Sequence, residues 1–170
     1  CQGFLYGQFI VTGDGVRLVE YNFRPGDPEW INTMATYRGS LLEAIASLYE
    51  NRHHAWEITG KASVCKYLVP RGYPEKLNNT LTVTFDRTAI ESKGARLYYS
   101  CGKDEQGQLL PGSERGVAII AAAATLKEAN AIVEEAITTV NGEYIYRSDI
   151  GSGEQIEQKQ RRMHEVRSAS

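Results

Sequence analysis

The sequence has no long hydrophobic run. Its longest apolar stretch, Val117–Ala124, falls well short of the roughly 20 residues that a membrane-spanning helix needs, so no membrane partner is expected. No signal-peptide pattern is visible. Cysteine is scarce: Cys1, Cys65 and Cys101 are scattered singly, with no CxxC spacing. An odd, dispersed set suits a reducing compartment better than a disulfide framework, so a cytoplasmic location is expected, with Cys65 and Cys101 filling space rather than reacting. There is no strong excess of charge. A formal net charge of −2 argues against nucleic acid or another polyanion as the main partner. Internal repeats, low-complexity segments and a recognisable Ser/His/Asp set are also missing.

What is present suffices for a core. The 170 residues are 42% apolar, enough for one domain or two small ones. Phe4–Thr12 and Val16–Asn22 are rich in β-branched and aromatic residues, with Gly13-Asp14-Gly15 between them, which predicts a hairpin. Two prolines and a glycine make Phe23–Trp30 a loop. Ser40 starts a helix with Leu41, Leu42, Ile45, Leu48 and Tyr49 at helical spacing, and Ser40 with Glu43 reads as a capping box.

The texture changes near His53–Gly60, where a domain boundary is expected. Strands are predicted at Ala62–Val69, Leu81–Phe85, Ala95–Cys101, Gln108–Leu110, Val117–Ala123 and Tyr144–Tyr146, with a hairpin turn at Asp104–Gly107. Thr125 and Glu128 form a second capping box, opening a helix to Thr139 whose apolar face is Leu126, Ala129, Ile132, Val133 and Ile137. Glu154–Arg167 is polar and helix-prone; its basic Lys159, Arg161 and Arg162 are balanced by Glu154 and Glu157, so a solvated face is expected. The expected class is α+β: a β-hairpin plus helix over residues 1–57, a small β-rich domain with one long packed helix over 58–152, and a polar helix or tail over 153–170.

The densest chemistry lies in Val19–Glu29. Alternation along a strand points Glu20 and Asn22 to the same face, with Tyr21 opposite. A carboxylate beside an amide oxygen makes a hard oxygen site suited to magnesium that also holds phosphate oxygens. The same alternation fits an edge strand with polar side chains in water. Arg24 suits a phosphate or carboxylate through its planar fork, and Asp27 an amine or a ribose hydroxyl. Pro25, Gly26 and Pro28 stiffen this loop, though a turn with solvated charges has the same composition. Elsewhere, His53-His54 are adjacent and do not share a helix face, so a solvated helix end is expected rather than a metal site. Tyr98 and Tyr99 are expected to split between core and solvent. Arg147 and Asp149 either pair in a loop or reach a cleft.

The segment Glu20-Tyr21-Asn22-Phe23-Arg24-Pro25-Gly26-Asp27-Pro28-Glu29 resembles the metal-binding strand of ATP-grasp ligases. More narrowly, it is similar to the Glu-Phe/Tyr-Asn-x-Arg-Phe-Gly-Asp-Pro-Glu signature of the phosphoribosylamine–glycine ligase (glycinamide ribonucleotide synthetase) family. Gly3–Gln8 resembles that family's Gly-x-Leu-Tyr strand, Lys66–Pro74 its Ser-Lys-Gly-Tyr-Pro turn through Arg71-Gly72-Tyr73-Pro74, and Tyr146–Gly151 its Tyr-Arg-x-Asp-Ile-Gly segment. The anchors occur in the family's order along nearly the whole chain. Two departures stand out: Pro25 replaces the usual Phe, and Gly112–Val117 stands where a Gly-Gly-Arg-Val turn is usual.

The resemblance implies roles. Glu20 and Asn22 would ligate a magnesium or manganese ion that bridges ATP phosphates. Arg24 and Asp27 would lie on the acceptor side, near glycine, 5-phosphoribosylamine or the acyl phosphate, with Arg24 the catalytic residue. The implied product is glycinamide ribonucleotide, in purine synthesis. No glycine-rich grasp loop and no lysine pair for ATP phosphates is recognised. The chain also begins Cys-Gln-Gly-Phe-Leu-Tyr, without Met and already strand-like. The expectation is therefore the carboxy-terminal part of a ligase, inactive without its amino-terminal domains. Another ATP-grasp carboxylate–amine ligase and a non-catalytic β-rich binding module are the competing readings.

Overall fold

A computed structural model describes residues 2–75, 82–103, 109–110 and 115–168. In chain order the elements are strands β1 (Tyr6–Thr12) and β2 (Gly15–Asn22), helices α1 (Glu29–Thr36) and α2 (Leu41–Tyr49), and strands β3 (Ala62–Leu68) and β4 (Val83–Thr84). Helix α3 (Arg87–Ser92) and strands β5 (Arg96–Tyr99), β6 (Gly102–Lys103), β7 (Leu109–Leu110) and β8 (Val117–Ala123) follow. Helix α4 (Leu126–Ile137), strand β9 (Asn141–Gly142) and helix α5 (Gly153–Ser168) complete the chain. The class is α+β with small antiparallel sheets, as expected. The chain divides into two compact units, Cys1–Gly60 with Gly153–Ser170, and Lys61–Ser152.

In the first unit, β1 and β2 form the expected hairpin, closed between Thr12 and Gly15. The register shifts between Gln8 and Phe9, so Val19 is skipped and Glu20 and Asn22 fall opposite Gln8 and Tyr6. Such a bulge re-aims the side chains beyond it. Helix α1 is an element beyond the sequence reading: it begins inside the expected loop, with Pro28 at its N-cap and no side-chain cap. Ser40 caps α2 by accepting from the Glu43 N–H at 3.2 Å, and this is the only half of the expected box that forms. Aromatic rings cluster nearby: Phe4–Trp30 centroids are 4.8 Å apart, and Tyr37–Trp56 5.0 Å. The Tyr37 hydroxyl and His54 Nε2 lie 2.7 Å apart, which gives His54 a structural partner. Helix α5 has no buried residue, in keeping with its polar sequence.

The second unit is a three-stranded sheet ordered β3-β8-β5, with α4 packed on one face. The central β8 is a strand despite its alanines. Val117, Ala118 and Ile119 are fully buried, and small side chains on a two-sided strand let neighbours approach. Val64, Leu68, Val117, Ile119, Leu97, Ala129, Val133 and Ala136 share one core. The Thr125–Glu128 capping box forms in both directions, at 3.2 and 3.1 Å. Helix α3, capped by Asp86, lies in a stretch read only as a link between strands.

Some expectations fail. Tyr144–Tyr146 is not a strand; it makes a single bridge, Val69 to Ile145, while Tyr144 and Tyr146 turn their hydroxyls toward α4. Tyr98 and Tyr99 do not divide between core and solvent. They are 38% and 41% exposed, because β5 is an edge strand. The expected turn at Asp104–Gly107 and most of the Gly112–Gly116 segment lie outside the described residues.

Candidate functional site

The first unit assembles one polar row. Opposed residues of an antiparallel pair share a face, so Tyr6 and Gln8 of β1 join Glu20 and Asn22 of β2. Asn22 Nδ2 donates to Glu20 Oε1 at 2.7 Å. The two expected metal ligands are thus in direct contact, and rotating the terminal amide of Asn22 would set its Oδ1 beside the carboxylate instead. Carboxylate and amide oxygens are hard donors and fit a small divalent cation. They are only two donors, and no group of three or more His, Cys, Asp or Glu that could hold a metal occurs among the described residues. Such a pair fits an ion that takes its remaining oxygens from phosphate and water.

The loop after β2 returns toward this row. The Tyr6 hydroxyl donates to Glu29 Oε1 at 3.3 Å, joining the start of β1 to the first turn of α1. The Tyr6 phenol is pushed above its ordinary value, first by desolvation and then by Glu29 and Glu20, with Arg24 pulling the other way. It therefore stays a hydrogen-bond donor. Gly26 is required by close approach: a Cβ there would lie 2.7 Å from both the Tyr6 ring and Glu29 Oε2. Arg24 is exposed and turned back on its own loop, donating to the Pro25 carbonyl at 3.0 Å. Asp27 is exposed and precedes a cis peptide bond to Pro28. The structure thus gathers Glu20 and Asn22 and sets Arg24 and Asp27 in the adjoining loop. Tyr6 is the member that sequence reading missed. It lies in the Gly3–Gln8 anchor, but its place in the polar row follows only from β1 alternation combined with the hairpin register.

The second unit holds a buried ionic network. Lys66 lies in the core-facing row between Val64 and Leu68, fully buried. Its ammonium donates to Glu134 of α4 and, at 3.0 Å, to the Ser148 carbonyl. Tyr146 donates to the other Glu134 oxygen at 2.8 Å. Desolvation, followed by this bond to Glu134, pushes the Tyr146 phenol up to about 12. Arg147 and Asp149 pair through two bonds of 2.6 and 2.5 Å, so the pairing alternative is the one realised. This network fixes the Tyr146–Asp149 segment to β3 and α4.

The fold is thus an α+β arrangement whose hairpin carries a hard-oxygen pair. The family model described as phosphoribosylglycinamide synthetase, C domain, matches residues 63–153, and the chain belongs to that family. Curated relatives named phosphoribosylamine–glycine ligase align along nearly all of it. The protein from Methanocaldococcus jannaschii is 38% identical over 168 residues, covering 98% of this chain and 38% of the relative. That from Pyrococcus abyssi is 38% identical over 165 residues, covering 97% of this chain and 37% of the relative. The chain thus spans well under half the length of these relatives. A crystal structure of phosphoribosylamine–glycine ligase from Thermotoga maritima shares the fold, with a TM-score of 0.67 at 21% identity, over 85% of this chain and 36% of that one. No described helix is long and apolar enough to cross a membrane.

Proposed function

We propose that this chain is the carboxy-terminal part of an ATP-grasp ligase that joins glycine to 5-phosphoribosylamine, giving glycinamide ribonucleotide, ADP and phosphate. The observation that carries the reading is the contact between Glu20 and Asn22, 2.7 Å apart, immediately before the Arg24–Asp27 loop. Family membership and the names of the relatives support the substrate assignment. Residues 1–57 belong to the end of the ATP-grasp domain, 58–152 to the β-rich carboxy-terminal domain, and 153–170 to a terminal helix.

Glu20 and Asn22 would hold a magnesium or manganese ion, which would supply positive charge to offset and orient the phosphate oxygens of ATP. Arg24 turns out of its loop to face the reacting groups. There its guanidinium offsets the negative charge that builds as a glycine carboxylate oxygen attacks the γ-phosphorus and ADP leaves. Asp27 faces the amine or ribose of the acceptor, whose nitrogen then attacks the glycyl carbonyl carbon and displaces phosphate. Tyr6 remains protonated and holds Glu29, which keeps the loop in place. No side-chain nucleophile is needed, because glycyl phosphate is the activated species. The missing amino-terminal domains, ATP, glycine and phosphoribosylamine are the partners, in the cytoplasm.

The test is ADP release by the full-length protein, with and without glycine and phosphoribosylamine. Release that requires both substrates is expected. Release that ignores glycine, or that prefers another carboxylate, overturns the assignment.

A further inference from the structure

The chain holds a single Asn-Gly pair, Asn141-Gly142, and the fold sets it in strand β9. Both residues are exposed. Pairing with β4 places Gly142 opposite Val83 and Asn141 opposite Thr84. The Glu143 N–H donates to the Thr82 carbonyl at 3.2 Å, which makes Glu143 and Thr82 a hydrogen-bonded pair of this ladder. Hydrogen-bonded and non-hydrogen-bonded pairs alternate along an antiparallel ladder, so the Gly142 N–H turns away from β4. Gly142 takes a φ of +123°, and a Cβ there would lie 2.1 Å from the Thr82 carbonyl oxygen. Only glycine fits such a position. The nitrogen that follows Asn141 is therefore neither tied into the ladder nor screened by a side chain of its own.

We propose that Asn141-Gly142 is a site of spontaneous covalent modification, at which the side-chain amide is lost through a cyclic imide and isoaspartate forms. The Gly142 nitrogen attacks the side-chain carbonyl carbon of Asn141. The bond from that carbon to the amide nitrogen breaks, and ammonia leaves with the proton that Gly142 gives up. Water then adds at either imide carbonyl, giving aspartate or isoaspartate. The attacking and attacked atoms belong to adjoining residues, so no second reactant has to be positioned for ring closure. Exposure of both residues supplies the water. Isoaspartate lengthens the backbone by one carbon and adds a carboxylate beside Glu143. It breaks the register that holds β4, whose Val83 packs on the core together with the neighbouring Phe85. The second unit therefore loosens as the chain ages. This inference stands on the second unit alone and does not use the ligase reading.

The test incubates the chain in mildly alkaline buffer, folded and in urea, and follows its peptides by mass spectrometry. The Asn141 peptide is expected to exchange the mass of an amino group for that of a hydroxyl. In the folded chain this should run within about tenfold of the unfolded rate, because the fold gives the site little protection. Peptides carrying Asn22, Asn32, Asn51 and Asn130, each followed by a residue with a side chain, should keep their amides. Asn141→Gln needs a larger ring, so it should show no conversion and unfold at the wild-type urea midpoint. The separated isoaspartyl chain should unfold at a lower one. An amide that persists in the folded chain while it is lost in urea overturns the site. So does conversion at Asn141 no faster than at Asn51. A wild-type midpoint in the isoaspartyl chain overturns the loosening of the second unit.

Discussion

Removing the Glu134 carboxylate should destabilise the second unit more than removing the Lys66 ammonium, although the two form one ion pair. Lys66 is 0% exposed, while the Glu134 side chain is 35% exposed. Glu134→Leu leaves a buried ammonium with no carboxylate bonded to it, keeping the Ser148 carbonyl and the Tyr146 ring 5.9 Å away, and it also takes the acceptor from the Tyr146 hydroxyl. Leaving one charge of a buried pair uncompensated costs about 3–5 kcal/mol, and the partial exposure of Glu134 puts this case near the lower figure. Lys66→Met leaves a carboxylate that still reaches water and still accepts from Tyr146, so its cost is about 1–2 kcal/mol. The double variant removes both charges from an apolar neighbourhood and keeps chiefly the lost Tyr146 bond, about 1 kcal/mol. Urea unfolding followed by far-ultraviolet circular dichroism reads these values. With m near 1–3 kcal/mol per molar, Glu134→Leu should move the midpoint by roughly 1–3 M. A double variant as unstable as the sum of the singles would refute the reasoning. So would a Lys66→Met loss larger than that of Glu134→Leu.

Other consequences follow from local bonds. Thr125→Ala breaks the α4 capping box and should cost about 1 kcal/mol in the same unfolding experiment, with Thr125→Ser close to wild type. The hydrogen bond from Arg147, followed by its charge, holds the Asp149 carboxyl below its ordinary value. The unfolded chain therefore binds a proton at Asp149 more readily, and this contribution to stability is present above about pH 4 and lost as pH falls through the lower folded value. Asp149→Asn should flatten that part of the acid-stability profile; an unchanged profile contradicts the pairing. For Tyr146 the sign is opposite: its phenol is raised to about 12, so its contribution is complete below pH 10 and lost as pH rises toward 12. Spectrophotometric titration should show a tyrosine step near pH 12, and Tyr146→Phe should remove that step while the raised phenols of Tyr6 and Tyr144 persist.

Where local chemistry and tertiary packing agree, the fold could be read in advance. Helix α4 has a capping box and a full apolar face, and it forms as those residues dictate. The β1–β2 hairpin has its turn glycines and alternating strands. Helix α1 escaped because Pro28 offers no side-chain cap and the segment before it looks like a loop. Helix α3 has an Asp86 cap and Gly94 beyond its end, but six residues are too few for a period to show. Lys66 looks like an ordinary polar residue in an alternating strand. Its partner Glu134 lies 68 residues away, and nothing local announces the pairing. The Glu20–Asn22 pair was legible from alternation, whereas Tyr6 became visible only once the bulge at Val19 had set the register.

The measurement that bears most directly on the central proposal is magnesium-dependent ADP release by the full-length protein carrying Glu20→Ala or Asn22→Ala. Loss of a metal ligand worth several kcal/mol in the transition state should lower turnover by about a hundredfold or more, with circular dichroism and the unfolding midpoint unchanged. Wild-type turnover in both variants, across the same range of magnesium concentration, would contradict the metal site at Glu20 and Asn22.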